Sequence, residues 1–186
     1  MEAAKILLFN YKSDKITDPL FWIYNHDSCV EIKTEILRFL IVLAAKERKY
    51  LNAVKKLLKK AIESDTDALQ VEAIKGYAEL DLKSSTLHLI RMLKSSNRNI
   101  QRSAITALKE LRSKKAVPHL IKKLDSQRSD VWKLTFFALK EIEKDNLGDL
   151  LMDTLEALEN SEKIEHLKRG VIKALRELGR SEASIT

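Results

Sequence analysis

One helical pattern recurs at a spacing of 31 residues, and that period constrains the fold more than any other property of the chain. Ala104-Ile105-x-Ala107-Leu108-x-Glu110-Leu111 is preceded, 31 positions upstream, by Ala73-Ile74-x-Gly76-Tyr77-x-Glu79-Leu80. Thirty-one positions downstream stands Thr135-Phe136-x-Ala138-Leu139-x-Glu141-Ile142, and Val171-Ile172-x-Ala174-Leu175-x-Glu177-Leu178 follows after a five-residue slip. A period of this length marks stacked helical pairs, in which each unit buries its apolar face only against its neighbours. The predicted fold is all-α, an α-α superhelix of about four to five helical hairpins.

Each period divides into two helices. Ile100, Ala104, Ala107, Leu108 and Leu111 form the stripe of an amphipathic first helix. After Ser113-Lys114-Lys115, a second stripe runs through Val117, Leu120, Ile121 and Leu124. Pro118 fits only in the first turn of that second helix, where a missing N–H costs little. The second helices keep the register: Leu58, Leu89, Leu120 and Leu151 make one column, and Ile62, Leu93, Leu124 and Leu155 another. The earliest first helix, about Val30 to Glu47, matches less well, since Lys49 falls in the column of Leu80, Leu111 and Ile142.

Composition agrees. Four Gly and two Pro in 186 residues leave little room for sheets joined by tight turns. One cysteine, Cys29, cannot form an internal disulfide, and it reads as a small buried thiol. The amino terminus has no secretory h-region, and the longest apolar run, Phe39 to Ala45, is far too short to cross a bilayer. That run predicts a helix buried on most sides, in a cytoplasmic protein with no membrane partner.

These residues resemble a known family. Asn99-Ile100-Gln101-Arg102-Ser103-Ala104-Ile105-x-Ala107-Leu108, followed by Ala116-Val117-Pro118-His119-Leu120-Ile121-x-x-Leu124, is similar to a HEAT-type repeat of the phycobilin-lyase subtype. The resemblance covers 69–179 well and 31–63 loosely. It implies a HEAT-like solenoid whose second helices line the concave side. It implies little about chemistry, because such repeats serve scaffolds, lyases, hydroxylases and DNA-repair proteins alike.

On this reading residues 1–29 form an N-terminal capping segment, 30–179 the solenoid and 180–186 a flexible tail. Phe9, Tyr11, Phe21, Trp22 and Tyr24 crowd the first segment. They suit either a cap over the first hairpin or a partner-binding arm. Asp18-Pro19 reads as a helix start, and Gly179 as a helix stop.

No catalytic signature is present: there is no phosphate-cradling Gly-rich loop, His-Glu-x-x-His, paired-Cys motif or Gly-x-Ser-x-Gly. His88 and His119 lie 31 residues apart, but their column-mates Leu57 and Leu150 point to a shielded helix seam. The iron-binding repeat hydroxylases carry His-Glu dipeptides, which His88-Leu89 and His119-Leu120 lack. Asp130 beside Trp132 is a weak echo of the helical glycosylases, and a cap role explains Asp130 as well. No enzyme activity, metal or cofactor is expected.

The surface columns carry the functional reading. Net charge is +7, yet it is uneven: 31–63 carries nine Lys/Arg against four acids, whereas 131–163 carries four against eight. Two residues turn a helix by about 200°, so Lys56 and Lys60 point away from Leu58 and Ile62. The Lys60 column continues through Arg91 and Lys122 to Asp153, and Lys123 thickens its basic part. Separately, Trp132, Leu134 and Phe137 occupy columns that elsewhere are mainly polar or small. Either the helix from Leu147 to Glu159 covers them, or another protein or a second copy of the chain does. The expected function is a non-enzymatic scaffold that binds an acidic protein partner through Lys56, Lys60, Arg91, Lys122, Lys123, Trp132, Leu134 and Phe137. The alternative is nucleic-acid binding through the same basic helices.

Overall fold

A computed structural model describes residues 13–158 and 165–183 of the chain. Every regular element among the described residues is helical. They group into two compact units, one ending at Leu82 and the other beginning at Lys83.

The first unit holds α1 (Ser13–His26), α2 (Val30–Lys46), α3 (Leu51–Ile62) and α4 (Asp67–Glu79). α2 is its centre, because α1, α3 and α4 all pack against it. Phe39, Leu40, Ile41, Leu43 and Ala44 are accordingly buried, and only Ala45 in that apolar run is exposed. On α3 the buried positions are Val54, Leu57, Leu58, Ala61 and Ile62, with lysines between them. α4 comes unusually close: a Cβ on Gly76 would lie 2.6 Å from Ile41 Cδ1 and 2.7 Å from Leu58 Cδ2. The other repeats place alanine at this position, as Ala107, Ala138 and Ala174.

Two local signals in this unit act differently from expectation. α1 begins at Ser13 and carries Pro19 inside it, not at its start. Packing of α1 on α2, with Thr17 and Tyr24 buried, outweighs the main-chain hydrogen bond that proline forfeits. Lys49 does not continue a buried column; it sits exposed in the short 3-10 turn Arg48–Tyr50 and pairs with Glu47 at 3.1 Å. Phe9 and Tyr11 of the expected cap lie outside the described residues.

The second unit contains α5 (Thr86–Met92), α6 (Arg98–Glu110), α7 (Val117–Lys122), α8 (Ser129–Glu143), α9 (Leu147–Leu158) and α10 (Glu165–Ala183). The α6 stripe of Ile100, Ala104, Ala107 and Leu108 is buried, and so are Val117, Leu120, Ile121 and Leu124 beyond it. Pro118 is in the first turn of α7. Leu58, Leu89, Leu120 and Leu151 are each fully buried, so the 31-residue column is a core column in both units. Gly179 ends nothing: α10 runs through it to Ala183, with φ negative.

The period also governs the turns. Asp81 and Arg112, 31 apart, both take positive φ, 48° and 46°, just after a first helix. Leu82 N–H then reaches Tyr77 O at 2.9 Å, and Ser113 N–H reaches Leu108 O at 3.1 Å, each closing a Schellman motif. Between hairpins, Ser64, Ser95 and Ser126 each accept the N–H two residues on through Oγ. Gln70 Nε2 donates to Ser64 O at 2.6 Å, and Gln101 Nε2 donates to Ser95 O at 2.5 Å. Each amide locks the turn six residues before it.

Candidate partner-binding surface

Of the basic residues named from the sequence, four lie on second helices, and Lys123 follows the last of them in a short 3-10 turn. In the first unit Lys56 and Lys60 are exposed on α3, with Lys59 exposed and Lys55 half-buried beside them. Lys60 Nζ donates to Asn25 Oδ1 of α1 at 3.0 Å. In the second unit Arg91 of α5 and Lys122 of α7 are exposed, and Lys123 is half-buried. The ion pairs of the described residues engage other cations, among them Arg38, Lys75, Arg98, Arg102 and Lys114.

The apolar trio is not one surface. Trp132, assigned to partner binding from the sequence, is only 4% exposed. Its cover is α10, not the α9 helix expected to fold over it. Trp132 Nε1 donates to Gly170 O at 3.3 Å, and Lys173 Nζ stands 4.0 Å from the ring centroid. The helix can come this close because residue 170 has no side chain: a Cβ there would lie 1.8 Å from Leu124 O. Leu134 is half-buried, and Phe137 alone of the three is well exposed, at 57%. Phe136 stacks on Trp132 at 5.5 Å, and the Phe137 ring meets Phe136 at 5.8 Å, tilted by 55°.

Other candidates separate as well. His119 is exposed and His88 half-buried, so the expected seam shields His88 only in part. Cys29 is half-buried, and its thiol donates to Glu31 Oε2 at 3.1 Å. No group of three His, Cys, Asp or Glu able to hold a metal occurs among the described residues. Among them, too, no helix is long and apolar enough to cross a membrane. Asp130 does not cap α8, whose N-cap is Arg128. Its Oδ2 instead accepts from Arg98 Nε at 2.8 Å and Arg102 NH1 at 3.0 Å, tying α8 to α6. The Arg98 hydrogen bond holds the Asp130 carboxyl below its usual range.

Three features escaped the sequence reading. Arg38 grips the buried carboxylate of Glu72 in a fork, Nε to Oε1 at 3.2 Å and NH2 to Oε2 at 3.1 Å. Trp22 is 63% exposed and stacks on His26, with centroids 4.6 Å apart. A cleft of about 260 Å³ also opens beside Trp132, between residues 124–129 and α10.

Comparison with known proteins places this geometry. Residues 54–140 match the family of HEAT repeats. A designed armadillo repeat protein in complex with the peptide (KR)4 is similar over 94% of this chain and 86% of that one, at 17% identity and TM-score 0.58. The complex of CpcE and CpcF of phycocyanin lyase from Nostoc sp. PCC7120 is similar over 83% of this chain and 62% of that one, at 20% identity and TM-score 0.55. An engineered protein matches over 84% and 77%, at 18% identity and TM-score 0.51. Identities this low establish a shared fold, the all-α superhelical repeat. No curated protein matches the chain in sequence.

Proposed function

We propose that this chain, a HEAT-repeat protein across residues 54–140, is a non-enzymatic scaffold that captures an acidic segment of another protein on its second helices. One observation carries the reading. Lys56, Lys60, Arg91 and Lys122 are exposed on the side of each helix away from the core, outside the ion pairs that other cations form. Cations left in water keep their charge available for a partner and steer its approach. Phe137 adds an exposed apolar contact, with half-buried Leu134 three residues before it on the same face. Trp132 and its hydrogen bond to Gly170 belong to the core of the scaffold. Repeat folds of this class serve broadly as protein-binding scaffolds, and structural neighbours hold a peptide or a partner chain.

The test reverses charge at Lys60→Glu, Arg91→Glu and Lys122→Glu together and measures binding of a poly-glutamate peptide. The expected result is a complex that weakens with salt and is lost in the triple variant, while thermal unfolding is unchanged. Equal binding by the folded triple variant sinks the reading.

A second reading, single-stranded nucleic acid, has its own observation. Exposed Trp22 lies one helical turn from Asn25, and Asn25 receives Lys60 Nζ, so an aromatic ring stands near basic α3. Ring stacking beside cations is how single strands are held without sequence readout. Labelled single-stranded DNA and RNA, titrated at two salt concentrations against wild type and Trp22→Ala, decide it. No complex at low salt removes this reading.

A further inference from the structure

The cleft beside Trp132 lies where one repeat departs from two others. Gln70 and Gln101 close their turns by donating to Ser64 O and Ser95 O. Trp132 holds the same column, and its only polar atom is committed to Gly170 O across the seam. Ser126 therefore receives no such amide, and a space of about 260 Å³ lies between the turn and α10.

Its walls are chemically unequal. α10 contributes His166, Arg169 and Lys173, at i, i+3 and i+7, and so on one face of the helix. Gly170 fixes that face against the turn, since its α-carbon lies against the Leu124 carbonyl. Arg169 Nε meets Glu165 Oε1 at 3.3 Å, but both groups are exposed, and such a pair is easily exchanged for a better acceptor. The turn contributes Ser126 and Ser129. Ser126 Oγ already accepts from Arg128 N–H, so its own proton remains to be donated. Gln127 Nε2 lies 3.0 Å from His166 Nδ1 and bridges turn and helix. The one carboxylate on the lining is Asp125.

We infer that this cleft between the Leu124–Ser129 turn and α10 is a binding site for a phosphoryl group. Two cations on one side and hydroxyl donors on the other suit a tetrahedral dianion, which accepts hydrogen bonds on every face. A planar carboxylate would leave one wall unused. The volume holds such an anion with its first water molecules. Lys173 reports the event, because an anion that draws its ammonium from the indole changes the surroundings of Trp132.

Trp132 is the probe. Trp22→Phe, at an exposed position, leaves it as the only tryptophan, and its emission is followed while inorganic phosphate replaces chloride at constant ionic strength. The expected result is a saturable change that acetate does not reproduce. Arg169→Gln, which leaves the indole contact intact, weakens binding about tenfold, as loss of one charge-assisted hydrogen bond does. Asp125→Asn, which removes the opposing charge, tightens it. O-phosphoserine binding more tightly than inorganic phosphate assigns the group to a modified side chain, and the reverse order to the free anion. A linear response, one matched by acetate, or an unchanged affinity in both folded variants overturns the proposal.

Discussion

Trp132 and Gly170 are joined by a buried hydrogen bond, indole N–H to main-chain carbonyl at 3.3 Å, and each residue makes the other necessary. The tryptophan fills the seam that glycine allows α10 to approach. With no side chain in the way, the main-chain carbonyl of residue 170 reaches the indole N–H, which would otherwise be buried unpaired at a cost of about 1–3 kcal/mol.

Glycine replacement should therefore divide by what a methyl group meets. Gly170→Ala drives a Cβ into the Leu124 carbonyl, a main-chain atom held by its own turn. We expect a loss of about 2–3 kcal/mol, more than the ~1 kcal/mol gained in helix propensity. Gly76→Ala meets only the tips of Ile41 and Leu58, which can rotate, and should cost less than Gly170→Ala. Gly179→Ala meets nothing within 4 Å inside α10 and should stabilise by about 0.5–1 kcal/mol. Urea unfolding of the three variants checks the order.

The Arg38–Glu72 fork allows a sharper test. Glu72 is 5% exposed, and its nearest other cation is Lys75, at 3.8 Å. Arg38→Met strands that carboxylate in the core and should cost about 3 kcal/mol, whereas changing both residues to Met should restore much of the loss. A double variant no more stable than Arg38→Met would show that packing, not charge, governs this contact.

These contacts mark where legibility in the sequence ends. The columns through Leu58, Leu120 and Ala104 were readable because burial follows the helical period, and a period needs no coordinates. Trp132 was readable as an anomaly, but its cover was not. The slip before Val171 breaks the register, so nothing in the pattern says that α10 rather than α9 reaches it. The Ser64, Ser95 and Ser126 series, with Gln70 and Gln101 six residues beyond, was an available signal, since those polar residues keep the same period. Pro19 and Gly179 misled for a common reason. Helix starts and stops are weak local preferences, and packing on α2 or the run of α10 overrode them. The Glu72 fork was not legible because its partner, Arg38, lies in a first helix whose register departs from the period.

Backbone strain offers a stabilising change. Lys144 ends α8 at φ 48° and ψ −116°, a backbone conformation in which glycine is at ease and other residues are not. Lys144→Gly should raise stability by about 1 kcal/mol, or about 2–4 °C in a chain of this size. Arg112→Gly, in the milder left-handed region of a helix end, should gain less. Differential scanning calorimetry of the two variants gives the ranking directly.

Asp130 makes one part of stability depend on pH. Hydrogen bonds from Arg98 and then Arg102 favour its charged form and pull its folded pKa below the ordinary 3.8. A depressed carboxyl contributes stability that is complete above its unfolded value and disappears as pH falls through the folded one. Asp130→Asn should thus melt below the wild type at pH 6, and the gap should narrow as the pH falls past the ordinary 3.8 and through the lowered folded value. Because the group is at the surface, rising salt should narrow the gap at pH 6 as well. A gap that stays constant from pH 6 to pH 3 would mean that the side chain acts there by shape or neutral hydrogen bonding and not by its charge.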